Sequence, residues 1–167
     1  MDMISLDAAV ALTGISRSTL WRRVTDGRIG KGGKDARGRA TLALADVLPL
    51  VSVPLGPEDV QVLLQADAGA AEAQADLGAL CYVAGAEKAA LYWLNEAAAQ
   101  GHADAMHWLG IAHYAGSGGG GGGGGESLRE RERQDNLAIM WIARAAALGH
   151  PLAQRQMAGL RGRGGRG

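Results

Sequence analysis

The sequence predicts a mainly α-helical protein with one small β-hairpin near its N-terminus. Phenylalanine is absent from the 167 residues, and alanine and glycine supply much of the apolar content. An alanine buries little area at about 25 cal/mol per Å², so the core is expected to consist of many shallow contacts between close helices. Capping residues bracket two short helices at the start of the chain, and the second half contains repeated helical segments. The length suits one ordinary domain or two small ones.

Charge is distributed unevenly along a chain whose formal net charge is zero. Residues 1–50 carry eight Arg or Lys against five acids, which gives +3. Residues 51–125 carry one Lys against eight acids, which gives −7, and residues 126–167 carry eight Arg against four acids, which gives +4. A polyanionic partner is therefore expected at the basic N-terminal segment.

Two helices separated by a tight turn are predicted first. Ser5 suits the N-cap of a helix over Asp7–Leu12, and Ser16 suits that of a second helix reaching about Asp26. Gly14 lies in the turn, and Gly27 ends the second helix by adopting a left-handed conformation. The apolar residues that would pack the two helices together are Ala8, Ala9, Leu12, Ile15, Leu20 and Val24.

Helical periodicity disappears between residues 28 and 42. Arg28–Ile29 and Arg39–Leu42 are expected to pair as short strands around a glycine-rich loop. Asp46 suits the N-cap of the short helix that follows, in which Pro49 falls at a third position whose N–H needs no helical partner. The first domain is predicted to cover residues 1–53.

A second domain, residues 57–160, is predicted to consist of repeated helix pairs. Pro57 suits the first position of a helix that ends at Gly69. The segment AEAQADLGALCYVAG then aligns with HADAMHWLGIAHYAG, 32 residues apart at matched leucine, glycine and tyrosine positions. Repeats of this length made of helix pairs are typical of an α-solenoid.

The helices between these segments also match, but at a longer offset. Ala89–His102 aligns with Leu137–His150, so that Trp93 falls on Trp141, 48 residues later. The extra residues are predicted to be a disordered insertion at 117–134, which contains eight consecutive glycines. The basic tail, 161–167, is also expected to be disordered.

The first two helices have the pattern of a helix-turn-helix, in which the second helix enters the major groove of DNA. With Leu20 on the inner face, Ser18 and Arg22 point away from the core. The residues of this helix that are expected to contact DNA are Arg17, Ser18, Thr19, Trp21, Arg22 and Arg23. The following hairpin adds cations that would release counterions from the backbone: Arg28, Lys31, Lys34, Arg37 and Arg39.

The phrase SRSTLWRRVTDGRI resembles the MerR- and excisionase-like winged helix-turn-helix proteins, and the resemblance covers about residues 3–52. It implies a bacterial DNA-binding head with its wing over Lys31–Arg39. Its recognition positions fall on Arg17, Ser18, Thr19 and Arg22. The long coiled coil by which full MerR regulators dimerise is missing, and no effector pocket follows, so an effector-triggered twisting of DNA is not implied.

The phrases of the second domain, such as ALYWLNEAAAQGHADAMHWLGIAHYAG, resemble Sel-one-like repeats, which are related to tetratricopeptide repeats. This resemblance implies a scaffold that binds a protein partner on its concave side. Trp93 and Trp141 stand at repeat positions and are expected in the core. Trp108 has no aromatic counterpart and is a candidate for exposure.

No catalytic, cofactor-binding or metal site is predicted. The lone cysteine, Cys81, lies in an apolar stretch and is expected to be buried. No two histidines stand four residues apart with a third ligand at a familiar spacing. His102 and His150 each follow a helix-ending glycine, which favours a structural or capping role. No nucleophile is paired with a base, so an enzyme is not expected.

The predicted function is that of a cytoplasmic, nucleoid-associated transcriptional regulator or adaptor, which reads double-stranded DNA with its head and docks a protein with its repeats. One head offers one half-site, so a homodimer or tandem binding is expected, through either domain. Two alternatives remain open. One is an excisionase-type architectural factor of a phage or mobile element, and the other is a pure protein-interaction scaffold.

Overall fold

The structure, a computed structural model, describes residues 1–118 and 128–164. Within those ranges the chain is mainly helical, with nine α-helices and a three-stranded antiparallel sheet. The mainly α class is therefore confirmed. The chain divides into two compact units, residues 1–92 and residues 93–167. The first unit extends beyond the predicted first domain and includes the next two long helices.

The first unit begins with strand β1 (Met3–Ser5) and helices α1 (Leu6–Thr13) and α2 (Arg17–Thr25). The predicted caps are confirmed: Ser5 Oγ accepts from the Ala8 amide at 3.1 Å, and Ser16 Oγ accepts from the Thr19 amide at 3.3 Å. Gly14 turns the chain between the helices with φ of 66°, a conformation that costs a side-chain-bearing residue free energy. Local capping thus sets the ends of both helices.

A small sheet follows, with β2 (Lys31–Lys34) and β3 (Ala40–Ala43) in the order β1-β3-β2. All pairings are antiparallel, and Ile4 of β1 lies opposite Leu42 of β3. The predicted strand at Arg28–Ile29 is wrong. Both amides donate to the Arg23 carbonyl, at 2.8 and 3.3 Å, and so they close the end of α2 instead. Strand β1 was not predicted.

The short helix after the sheet is α3 (Leu44–Val47), and a 3-10 turn over Leu48–Leu50 continues it. Its N-cap is Ala43, so the prediction that Asp46 caps it is wrong. The carboxylate of Asp46 instead accepts from the Gly30 amide at 2.8 Å and ties down the start of the hairpin. This long-range bond replaces the local one that the sequence suggested.

Helices α4 (Pro57–Ala68) and α5 (Ala71–Val83) complete the long helices that lie wholly within the first unit. The predicted ends of α4 are confirmed, since Pro57 begins it and Gly69 stops it with φ of 106°. Cys81 is fully buried, as predicted, and burial raises the pKa of its thiol to about 11. Helix α6 (Glu87–Ala99) runs across the division between the units, and its Trp93 is buried as expected.

The second unit contains α7 (Ala103–Gly118), α8 (Leu128–Ala147) and α9 (Pro151–Gly164). Two predictions of disorder are corrected here. Residues 117–118 and 128–134 belong to α7 and α8, and residues 161–164 belong to α9. The rest of the predicted insertion, 119–127, and of the tail, 165–167, lies outside the described residues. In the first turns of α8, Glu130 pairs with Arg133 at 3.9 Å and accepts from Gln134 Nε2 at 2.9 Å, and i,i+3 and i,i+4 contacts of this kind support an exposed helix.

Two histidines cap the starts of α7 and α9. His102 Nδ1 accepts from the Ala105 amide at 3.3 Å, and His150 Nδ1 accepts from the Ala153 amide at 3.2 Å. The predicted capping role is confirmed. The His150 ring also stacks on His107, with 4.3 Å between centroids. Burial lowers the pKa of His107, so its neutral form is favoured at neutral pH.

Helices α7 and α8 approach closely at Gly110. A Cβ built on Gly110 would lie 2.5 Å from Ile142 Cγ1 and 3.3 Å from the Ala138 carbonyl oxygen of α8. Since such a Cβ would be in collision, glycine is required by packing at this position. Gly116, further along the same helix, has no atom within 4 Å of its built Cβ.

Gly110→Ala is therefore expected to destabilise the second unit by a net amount of about 1 kcal/mol. Overpacking costs about 1–3 kcal/mol, which exceeds the roughly 1 kcal/mol that alanine gains in helix propensity. Gly116→Ala should instead be neutral or stabilising. Urea unfolding followed by circular dichroism compares the two, and equal effects would contradict the close approach.

Candidate nucleic-acid interface

Helix α2 turns one face to the core and one to solvent. Leu20 is fully buried on the inner face, whereas Ser18 and Arg22 are exposed on the opposite side, as the sequence predicted. Thr19 is half-buried, and its hydroxyl accepts from Ser16 Oγ at 2.8 Å. Thr19 therefore supports the cap of the helix, and Ser18 and Arg22 are the side chains that a ligand can reach.

Arg17 stands at the first position of α2 and forms an ion pair with Asp7 of α1. Its side chain is 63% exposed, so the pair lies in solvent. Exposed pairs of this kind contribute about 0–1 kcal/mol. An anion that approaches the start of α2 can therefore replace Asp7 as the partner of the Arg17 guanidinium with little loss of free energy.

Trp21 and Lys31 join α2 to the hairpin. The Lys31 ammonium lies 4.9 Å from the centroid of the Trp21 ring, within the range of a cation–π contact. The indole is 39% exposed. Both residues keep solvent-facing surface, so the contact fixes the position of a cation beside the outer face of α2.

A shallow groove runs along this surface, with a volume of about 690 Å³. It brings the start of α2 next to the hairpin, because Ala40 of β3 and Leu6 of α1 form part of its wall. The polar or aromatic residues that line it are Ser16, Arg17, Ser18 and Trp21.

Four further cations of α2 and the segment after it have no acidic partner among the described residues. Arg22 and Arg28 are exposed, as is Lys34 on β2, whereas Arg23 is half-buried. In the described part of the chain none of the four forms an ion pair. Their charge is therefore available to an external polyanion.

Arg39, which the sequence predicted to contact DNA from the wing, is paired with two carboxylates. Its side chain is 20% exposed and pairs with Asp35 at 2.7 Å and with Asp67 of α4 at 3.0 Å. It also donates to the Asp67 carbonyl at 2.7 Å. Although burial opposes this, Asp67 and Asp35 raise the pKa of the guanidinium. Arg39 thus holds the hairpin to α4.

The Arg37 side chain also extends from the hairpin toward α4. Its Nη2 lies 3.5 Å from the Ala68 carbonyl oxygen at the end of that helix. The residue is exposed, and its backbone amide donates to Asp35 at 2.9 Å. Arg37 can reach a ligand only by giving up this weak contact.

Asp67 is the residue of this region that the sequence reading missed. It is 8% exposed, and its two carboxylate oxygens accept from the amide and the hydroxyl of Ser5, each at 2.6 Å. Ser5 therefore caps α1 while it anchors β1 to α4. Its place in the sequence could have indicated burial. Asp67 lies four residues after Leu63 and directly after Ala66, on the buried face of α4.

Family models, curated proteins and solved structures were compared with the chain, and none matches. The resemblances to winged helix-turn-helix proteins and to Sel-one-like repeats therefore remain predictions from the motifs. Among the described residues, no group of three His, Cys, Asp or Glu could hold a metal ion. In the same ranges, no helix is both long and apolar enough to cross a membrane.

Proposed function

We propose that this chain binds double-stranded DNA through α2 and the β2–β3 hairpin. The observation that carries the proposal is a set of cations on α2, on the turn that follows it and on β2 that have no acidic partner among the described residues: Arg22, Arg23, Arg28 and Lys34. Trp21 of the same helix contacts a fifth cation, since the Lys31 ammonium of β2 lies 4.9 Å from the centroid of its ring. Cations gathered on a helix and an adjacent hairpin are the electrostatic footprint of nucleic-acid binding.

In this proposal α1, the Gly14 turn and α2 act as a helix-turn-helix. The Ser18 and Arg22 side of α2 faces base edges in the major groove, because an arginine there can reach guanine with two hydrogen bonds. The hairpin acts as the wing, and Lys34 contacts the phosphate backbone. Arg39 is left out of the interface, since two carboxylates occupy it.

The helices that follow the hairpin act as a scaffold for a protein partner in the same proposal. Support comes from the recurrence of one capping geometry, in which a left-handed glycine precedes a capping histidine at 101–102 and again at 149–150. Recurrent helix ends are expected of stacked repeats. The whole chain would then be a transcriptional regulator or adaptor.

Binding of the full chain to short duplexes of random sequence at low salt tests the DNA proposal. Arg22→Ala is expected to weaken binding to a selected site about tenfold, and Lys34→Ala should weaken binding to all sequences alike. Arg155→Ala on α9 removes the same charge from an exposed site elsewhere and should change affinity little.

Two results would count against the proposal. If Arg155→Ala weakened binding as much as Arg22→Ala, charge alone and not this surface would account for the affinity. If the wild-type chain bound no duplex at low salt, the interpretation as a pure protein-interaction scaffold would replace DNA binding. Enrichment of bent or tandem sites among the bound duplexes would favour an architectural factor over a promoter regulator.

A further inference from the structure

The second unit has an apolar groove between its three helices. The groove has a volume of about 540 Å³, and α7, α8 and α9 each contribute to its walls. Its apolar lining includes Ile111 and Tyr114 of α7, Ile139 and Ile142 of α8, and Leu160 of α9. Nothing in the DNA proposal uses this surface.

The apolar side chains at the groove are unusually exposed. Tyr114 is 70% exposed, and Ile139 and Leu160 are each 45% exposed. By the offset of 48 residues that relates the two capping histidines, Leu160 corresponds to Ala112, which is only 5% exposed. The later position thus carries a larger apolar side chain in a more open place. Concentrated exposure of this kind marks an interaction surface.

Two opposite charges line the same groove on different helices. Asp135 belongs to α8 and Arg163 to α9, and both are exposed. Neither forms an ion pair with the other or with any other described residue. The groove therefore presents one carboxylate and one guanidinium that no described residue neutralises.

We propose that a second copy of this chain occupies the groove, so that the α7–α8–α9 surface forms a two-fold dimer interface. In a two-fold interface the same patch meets itself, and each contact between residues i and j occurs twice. Asp135 of each copy then faces Arg163 of the other, while Tyr114 and Leu160 provide the protruding apolar groups that fill the opposite groove. An occupant of the groove needs a cation to pair with Asp135 and an anion to pair with Arg163. A second copy of this chain presents both, and for this reason we choose it over an unrelated partner.

Sedimentation equilibrium of the full chain over a range of concentrations tests the proposal. The wild type should form dimers, and Leu160→Glu should raise the dimer dissociation constant at least about tenfold, because it brings a charge into an apolar contact. Arg155→Asp, at an exposed position of α9 outside the groove lining, is the matched control and should leave the constant nearly unchanged.

A charge exchange makes the test specific for the pairing. Asp135→Arg and Arg163→Asp each place like charges opposite one another and should each weaken association about tenfold. The double variant should recover most of the wild-type affinity. Both changes are at exposed positions, and circular dichroism verifies that the helices persist.

Three outcomes would overturn the proposal: a wild-type chain that is monomeric at every concentration, a dimer that Leu160→Glu does not weaken, and a double variant that associates no better than the single ones. The DNA proposal is separate, since a monomeric chain could still bind a duplex through α2. A failure to bind DNA would therefore leave the sedimentation result unaffected.

Discussion

Asp67→Ala is expected to lower the free energy of unfolding of the first unit by about 3–5 kcal/mol, because the change breaks a buried ionic cluster. The carboxylate accepts from the amide and the hydroxyl of Ser5, each at 2.6 Å, and pairs with Arg39 at 3.0 Å. Without it, the buried amide and hydroxyl of Ser5 lose their acceptor, and Arg39 loses one of its two carboxylate partners while it keeps Asp35. Leaving such groups unpaired accounts for most of the cost.

Asp76→Ala provides the matched control, since it removes the same charge from an exposed position on α5 in the same unit. Surface substitutions of this kind change stability by less than about 0.5 kcal/mol. Urea unfolding and hydrogen exchange of the β1 amides measure both variants. If Asp67→Ala unfolded no earlier than Asp76→Ala, the anchoring of β1 to α4 would be refuted.

Trp93→Ala is the second change with a large expected effect, a loss of about 3–5 kcal/mol from the cavity that it leaves. Trp93 is 1% exposed. Trp141, which occupies the corresponding place 48 residues later, is only half-buried and lies 5.2 Å from the Arg144 guanidinium carbon. Trp141→Ala should cost less than half as much, because much of its surface already contacts water.

Far-UV circular dichroism during urea unfolding compares the two variants without relying on tryptophan emission. Arg144→Ala is a useful third variant, since it removes the cation from the Trp141 ring and should cost no more than about 1 kcal/mol at an exposed site. If the two tryptophan substitutions lowered the free energy of unfolding equally, the result would contradict the expectation that the more deeply buried Trp93 contributes more to stability.

The starts of α1, α2 and α4 could be predicted because their determinants are local. Ser5 and Ser16 cap their helices, Gly14 turns the chain and Pro57 opens α4, each within a few residues of the backbone group it serves. Capping and turn chemistry depend on neighbours in sequence, so the pattern of residue types was sufficient.

The features that could not be predicted depend on contacts between distant residues. Strand β1 exists because it pairs with β3, about forty residues later in the sequence. Asp46 accepts from the Gly30 amide, 16 residues earlier, and does not cap the helix that contains it. The same holds for the candidate site. The exposure of Ser18 and Arg22 followed from helical periodicity. The pairing of Arg39 could not be predicted in this way, because its partner Asp67 lies 28 residues away in the sequence. Burial of Trp93 but not of Trp141 also reflects tertiary packing and not repeat position.

The salt dependence of duplex binding tests the central claim most directly. Each phosphate that a cation neutralises contributes about −0.9 to the slope of log K against log salt concentration. Arg28→Ala combined with Lys34→Ala should therefore make the slope less negative by about two, while Arg155→Ala leaves it unchanged. An unchanged slope in the double variant, or a wild-type slope near zero, would contradict DNA binding through α2 and the hairpin.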